Sequence, residues 1–147
     1  MPKSPPEGFP TVCPYLYYQD VAAAIDWLAK VFGFEKRMAM PGPGRTVMHA
    51  EMDIGEGVVM LGPANAPQGS KSPRELGAVN QSLYVYVPDV DAHFARARSA
   101  GATIVSEPVE MFWGDKFYSA RDLEGHHWSF AQHVREVAPE DMKPPDR

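Results

Sequence analysis

The sequence predicts an α+β protein of two tandem βαβββ modules, whose curved mixed sheets leave one face each free to line a cavity. Two observations predict it: a residue-by-residue internal repeat and a strand–helix–strand–strand–strand pattern that occurs twice. Adding 69 to a position in the first half gives its partner in the second. Tyr15 falls on Tyr84, Tyr17 on Tyr86, Asp20 on Asp89, Val21 on Val90, Ala23 on Ala92, and Asp53 on Asp122. At Gly33 the match slips by one to Gly101, so the second helix is one residue shorter.

Each element has its own local signal. Val12 to Tyr18 is short, apolar and aromatic, as a strand is. Asp20 sits at an N-cap position, and Val21, Ala24, Ile25, Leu28 and Phe32 follow at helical spacing before Gly33 ends the helix. Phe34 to Met40, Thr46 to Ile54 and Val58 to Leu61 read as strands, the last two joined through the tight turn Gly55-Glu56. Ser82 to Val87 opens the second module. Asp89 caps a helix marked by Val90, Phe94 and Ala97, and Ala102 to Ser106, Lys116 to Arg121 and His126 to Gln132 complete it. The modules therefore run 9–62 and 81–135, with a polar linker at 63–80 and tails at 1–8 and 136–147.

The chain has 147 residues, 44% of them apolar, which suits one or two small modules and not a larger assembly. Its 14 basic and 19 acidic residues leave a net charge of -5, and no Lys/Arg run exceeds two. Nucleic acid is excluded as a partner on that balance. A membrane is excluded by the lack of any run approaching the ~18 apolar residues of a span. The amino terminus lacks a signal peptide's apolar run, and a single cysteine, Cys13, fits a reducing cytoplasm.

Alternation along a strand sorts the candidate functional residues. The aliphatic set Leu83, Val85 and Val87 suits the helix-covered face, which leaves Tyr84 and Tyr86, with their repeat partners Tyr15 and Tyr17, on the other. Each ring offers an apolar face and a polar tip to a flat ligand, although ordinary core filling would use the same residues. A two-residue turn at Gly55-Glu56 pairs Ile54 with Gly57 and Glu51 with Met60, and so brings His49 and Glu51 to the tyrosine face. The same logic places Tyr118 and Ala120 beside His127 and Ser129. His49 and Glu51 suit an acid–base pair or part of a displaced metal site, and a solvated strand face accounts for them as well. His126 and His127 are adjacent, so they point to opposite faces and do not readily share an ion. Cys13 reads as a small buried thiol, Trp27 and Trp128 as core, and Trp113, in a loop between strands, as a cover for the cavity mouth.

The segments Tyr17-Tyr-Gln-Asp-Val-Ala-Ala-Ala-Ile-Asp-Trp-Leu28, His49-Ala-Glu51, Val59-Met-Leu61, Trp113-Gly-Asp115 and Arg121-Asp-Leu-Glu-Gly-His-His-Trp-Ser129 resemble the vicinal oxygen chelate superfamily, in its glyoxalase/bleomycin-resistance-like (PhnB-like) branch. The resemblance spans roughly Thr11 to His133. It implies the glyoxalase/bleomycin resistance/dihydroxybiphenyl dioxygenase-like fold and a homodimer in which modules pair within or between chains. It also implies a divalent metal held by four positions that fall here on Cys13, Met60, Ser82 and Ser129. None is a histidine or a carboxylate, so no metal or other cofactor is expected. The leading expectation is a protein that binds a small planar or cationic molecule through Tyr15, Tyr17, Tyr84, Tyr86, Trp113, Tyr118, His127 and Ser129. The alternative is a lyase, isomerase or dioxygenase working through His49 and Glu51 or a displaced metal. A third possibility is a structural dimer whose cavity is filled by its own side chains.

Overall fold

Asp20 and Asp89 perform the same task in the two halves. Each is extended in backbone and its carboxylate accepts from the amide three residues on, Ala23 and Ala92, at 3.0 Å in both cases. These caps start α1 (Val21–Phe32) and α3 (Val90–Ser99) in a computed structural model that describes residues 1–146. The strands are β1 (Tyr15–Tyr18), β2 (Glu35–Pro41), β3 (Val47–Ile54), β4 (Gly57–Pro63), β5 (Ser82–Tyr86), β6 (Thr103–Glu110), β7 (Asp115–Arg121) and β8 (His127–His133). A short helix, α2 (Pro73–Leu76), lies between the halves.

Each half makes one four-stranded mixed sheet, ordered β1-β4-β3-β2 and β5-β8-β7-β6, with the first strand parallel to the last and the remaining pairs antiparallel. The offset of 69 holds in the pairing itself: Tyr15 lies beside Met60, and Tyr84 beside Ser129. The result is an α+β fold of tandem βαβββ modules. No helix among the described residues is long and apolar enough to cross a membrane.

The chain divides into two compact units, one of Met1–Ala78 with Leu123–Gly125, the other of Val79–Asp122 with His126–Arg147. In the first, α1 packs on its sheet, and Val21, Ala24, Ile25, Leu28, Val31 and Phe32 join Leu16, Tyr18, Ala50, Met52, Val59 and Leu61 in the core. Each large side chain so buried contributes roughly 1.5–3 kcal/mol. In the second, Val90 and Ala97 of α3 are buried with Tyr118, Ala120, Trp128, Phe130 and Ala131. The Trp128 indole is fully buried and donates to Asp122 at 3.0 Å. Trp27 is half-buried, edge-on to Phe32.

One expectation is corrected. The β3–β4 turn pairs Ile54 with Gly57 and Glu51 with Met60 as expected, but β7 pairs with β8 through Ser119↔Ser129 and Arg121↔His127. The five-residue connection Asp122 to His126 shifts β7 by one residue relative to a two-residue turn, which exchanges its faces. Tyr118 and Ala120 therefore face the helix, and Ser119 and Arg121 take the places expected for them. The Tyr118 hydroxyl lies 2.5 Å from His93 Nδ1 of α3, and its ring meets Phe94 edge-on.

The stretch 63–80 between the modules has structure of its own. Pro63 still belongs to β4, and α2 is capped by the fully buried Ser72, which accepts from Arg74 N at 3.2 Å. Ser72 also donates to Glu124 Oε1 at 2.5 Å, and the same carboxylate accepts from the amides of Gln19 and Asp20 at 2.7 and 3.0 Å. Arg74 reaches the Leu123 carbonyl at 3.0 Å. The segment is fastened within the first unit. At the amino-terminal end of the first module, Arg37 donates to the Gly8 carbonyl at 2.9 Å and its guanidinium stands 4.2 Å over the Phe9 ring.

Candidate functional site

In the first unit, strand register decides which side chains share the face opposite α1. Tyr15 lies beside Met60 and Tyr17 beside Gly62 on β4, Glu51 is opposite Met60, and Met38 and Met40 of β2 are opposite Glu51 and His49. A chain of three polar groups crosses this apolar face. The Tyr15 hydroxyl is 3.0 Å from His49 Nδ1, and His49 Nε2 is 3.0 Å from Glu51 Oε2. In the arrangement with an ionised Glu51 and a neutral ring, the carboxylate only accepts, Nε2 carries the ring proton and Nδ1 accepts from Tyr15. Burial, and then the neighbouring Tyr17, raise the Tyr15 pKa above its ordinary value, so the hydroxyl keeps its proton at neutral pH. Gly62 makes room for this ring: a Cβ there would stand 2.5 Å from the Tyr15 oxygen. Tyr17 stands 5.3 Å from Tyr15, ring centre to ring centre.

In the second unit the organising group is Asp115, at the start of β7, with its side chain 3% exposed. Its Oδ2 accepts from the hydroxyls of Tyr84 and Tyr86, both at 2.8 Å, and from the Trp113 indole at 3.2 Å. Its Oδ1 accepts from His133 Nδ1 at 2.8 Å, and His133 Nε2 lies 3.1 Å from Glu136. With a carboxylate on each nitrogen, His133 favours the doubly protonated form. The Asp115 bond and then the Glu136 bond raise its pKa against a small opposing desolvation. Burial pushes the Asp115 carboxyl up, but the bonds from His133, Tyr86, Tyr84 and Trp113 together outweigh it and hold the group below the usual aspartate value. Tyr84 is pushed up to about 12, first by burial, with Asp115 and Tyr86 adding to it against the Trp113 bond.

Local backbone makes this gathering possible. Tyr84 and Tyr86 are alternate residues of β5 and share a face, and Asp115 pairs with His133 across β7 and β8. Between Trp113 and Asp115, Gly114 adopts φ 99°, and a Cβ there would collide with the Arg135 carbonyl. The rings remain open to a ligand: Tyr84 is 44% and Tyr86 63% exposed. Trp113 lies 5.9 Å from Phe117, which lies 5.9 Å from Tyr84, so the aromatic surface is continuous.

The structure thus brings Tyr15, Tyr17, His49 and Glu51 together in one unit, and Tyr84, Tyr86 and Trp113 in the other. Ser129 lies beside Tyr84 in the second sheet and shares a 2.8 Å bond with Ser119, while His127, beside Ser82, accepts from Arg121 Nε at 3.2 Å. Sequence reasoning missed Asp115, His133 and Glu136. The signal available for Asp115 was its position two residues after Trp113.

The metal implied by the resemblance does not fit the side chains at its positions. The Cys13 thiol donates to the Pro10 carbonyl at 3.6 Å, the Ser129 hydroxyl is engaged by Ser119, and Met60 and Ser82 add a thioether and a hydroxyl. Among the described residues, no group of three or more His, Cys, Asp or Glu is arranged to hold a metal ion.

Comparison with known proteins gives the class. The family described as the Glyoxalase/Bleomycin resistance protein/Dioxygenase superfamily matches residues 10–130, and the chain belongs to it. Among particular relatives, the chain is 41% identical over 132 residues to an uncharacterized protein of Mycobacterium bovis, covering 87% of this chain and 86% of that one. Its likeness to an uncharacterized Mycobacterium tuberculosis protein is also 41%, covering 77% of the relative. Among solved structures, TioX from Micromonospora sp. ML1 is similar at 36% identity and a TM-score of 0.68, over 86% of this chain and 98% of that one. A glyoxalase/bleomycin resistance protein/dioxygenase family enzyme from Burkholderia phytofirmans PsJN shares the fold at 18% identity and a TM-score of 0.65, over 82% and 95% of the two chains.

Proposed function

We propose that this member of the superfamily binds a small planar cation on the aromatic surface formed by Tyr84, Tyr86 and Trp113, without the family's usual metal. The observation that carries the reading is the buried Asp115 carboxylate, which fixes all three rings at once through their polar hydrogens. Their protons are committed to Asp115, so toward a ligand the group presents ring faces and the lone pairs of two hydroxyl oxygens. Such a surface favours a cation bearing N–H donors over an anion, each cation–π contact contributing about 0.5–2 kcal/mol. The charges behind it, Asp115 and Glu136 against one protonated His133, leave a net negative cluster.

Proflavine, a planar cation, and 1-anilinonaphthalene-8-sulfonate, an aromatic anion, test this. At a hundredfold excess over its Kd, proflavine should stabilise the protein by about 2.7 kcal/mol, a midpoint rise on the order of 5–10 °C. Tyr86→Ala should remove most of that rise. Equal stabilisation by the anion, or an unchanged response in Tyr86→Ala, would contradict the reading. The homodimer implied by the resemblance belongs to the same reading, and light scattering should then give twice the 16.3 kDa of one chain.

A further inference from the structure

We propose that Tyr15, His49 and Glu51 form a proton-exchange site in the first unit, taking a hydroxylic ligand such as a phenol or enol against the Tyr15 oxygen. This goes beyond the aromatic surface of the second unit and uses none of its residues. Three observations carry it. The three groups are linked in series at 3.0 Å and 3.0 Å, with both histidine nitrogens engaged. The terminal hydroxyl belongs to a residue 37% exposed, whereas the side chains of His49 and Glu51 behind it are 23% and 14% exposed. Gly62 holds the place that any larger residue would take from the tyrosine ring.

The direction of transfer follows from the donors. Glu51 fixes the proton on Nε2, so Nδ1 is free to receive the Tyr15 proton while the Tyr15 oxygen accepts one from the ligand. The ligand's O–H bond breaks with its electron pair left on the ligand oxygen. A new O–H bond forms on Tyr15 as the old one breaks, and an N–H bond forms on Nδ1. Tyr15 ends as it began, the ligand is an anion, and the imidazolium lies against the Glu51 carboxylate. The reverse sequence returns the proton, and no oxidant or other reactant is needed. In this scheme Tyr15 is the group that touches the ligand, and Gly62 is a positioning residue.

The probe is 4-nitrophenol, whose anion absorbs in the visible range. One pH unit below its own pKa, about a tenth of the free probe is ionised, and on the full-length protein at least half should be, about a fivefold rise in phenolate absorbance. Tyr15→Phe keeps the ring but removes the relay oxygen, and should abolish the rise. Gly62→Ala removes no reacting group, yet should reduce the rise by moving the hydroxyl off His49. Nitrogen-15 spectra provide a readout that a merely structural contact would not move. His49 should change from the Nε2–H tautomer to imidazolium as phenolate forms, and Glu51→Gln should weaken that change. Failure of the probe to bind, equal ionisation by Tyr15→Phe, or a His49 that stays neutral while phenolate forms would overturn the proposal. The proflavine response of the second unit would stand in each of those cases.

Discussion

Replacing Asp115 with asparagine tests the organisation of the second unit most severely. The aspartate accepts four hydrogen bonds, three on Oδ2 and one on Oδ1. An asparagine offers one acceptor oxygen and an NH2 group. Either the tyrosines and Trp113 or His133 would then meet a donor with a donor. Hydrogen bonds to a charged group are each worth about 1.5–3 kcal/mol, but Tyr84, Tyr86 and His133 are open enough to recover water. The net loss should be about 3 kcal/mol, or a fall in thermal midpoint of about 6–12 °C for a chain of this length. The control is Glu7→Gln, at a side chain 88% exposed that pairs with Lys3, where a change within about 1 kcal/mol is expected. Circular dichroism melts of the two variants against the parent provide the comparison. A midpoint for Asp115→Asn no lower than that of Glu7→Gln would refute the view that this carboxylate organises the site.

Two further outcomes follow from the same geometry. The raised pKa of His133 means that its contribution is complete below the ordinary histidine value and is lost as pH rises through the elevated one. The lowered pKa of Asp115 means that its contribution is complete above the ordinary aspartate value and is lost as pH falls through the depressed one. The stability difference between the parent and His133→Gln, measured by melts across pH, should therefore be largest in mildly acidic solution and shrink in both directions. Glu124→Ala should cost about 2–4 kcal/mol in urea unfolding, because it strips the acceptor from the amides of Gln19 and Asp20 and from the buried Ser72 hydroxyl.

Much of this architecture was legible because repetition and periodicity are local signals. The single offset of 69 matched the first strands and helix starts of the two halves, and Asp20 and Asp89 cap both helices where the sequence placed them. Hairpin register was legible where the turn was short: a two-residue turn at Gly55-Glu56 pairs Ile54 with Gly57 and Glu51 with Met60, as the structure does. The β7–β8 connection carries three more residues, and no local signal says how they are accommodated. That one-residue difference turned Tyr118 toward α3, and it also concealed that Asp115 faces His133. The Asp115 cluster further depends on the backbone at Gly114 bringing Trp113 back onto the strand it precedes. The stretch 63–80 looked like a polar linker because its anchoring partner, Glu124, is more than forty residues away.

The chain contains three tryptophans, and their indole N–H signals give the most direct measurement of the central claim. Nitrogen-15 labelled protein would be titrated with proflavine while those three signals are followed. The account predicts that the Trp113 signal moves with saturation, while that of Trp128, fully buried and bonded to Asp122, stays in place. Binding that leaves the Trp113 signal unmoved would contradict the placement of the ligand on the Tyr84, Tyr86 and Trp113 surface, and no binding at all would contradict the proposed function.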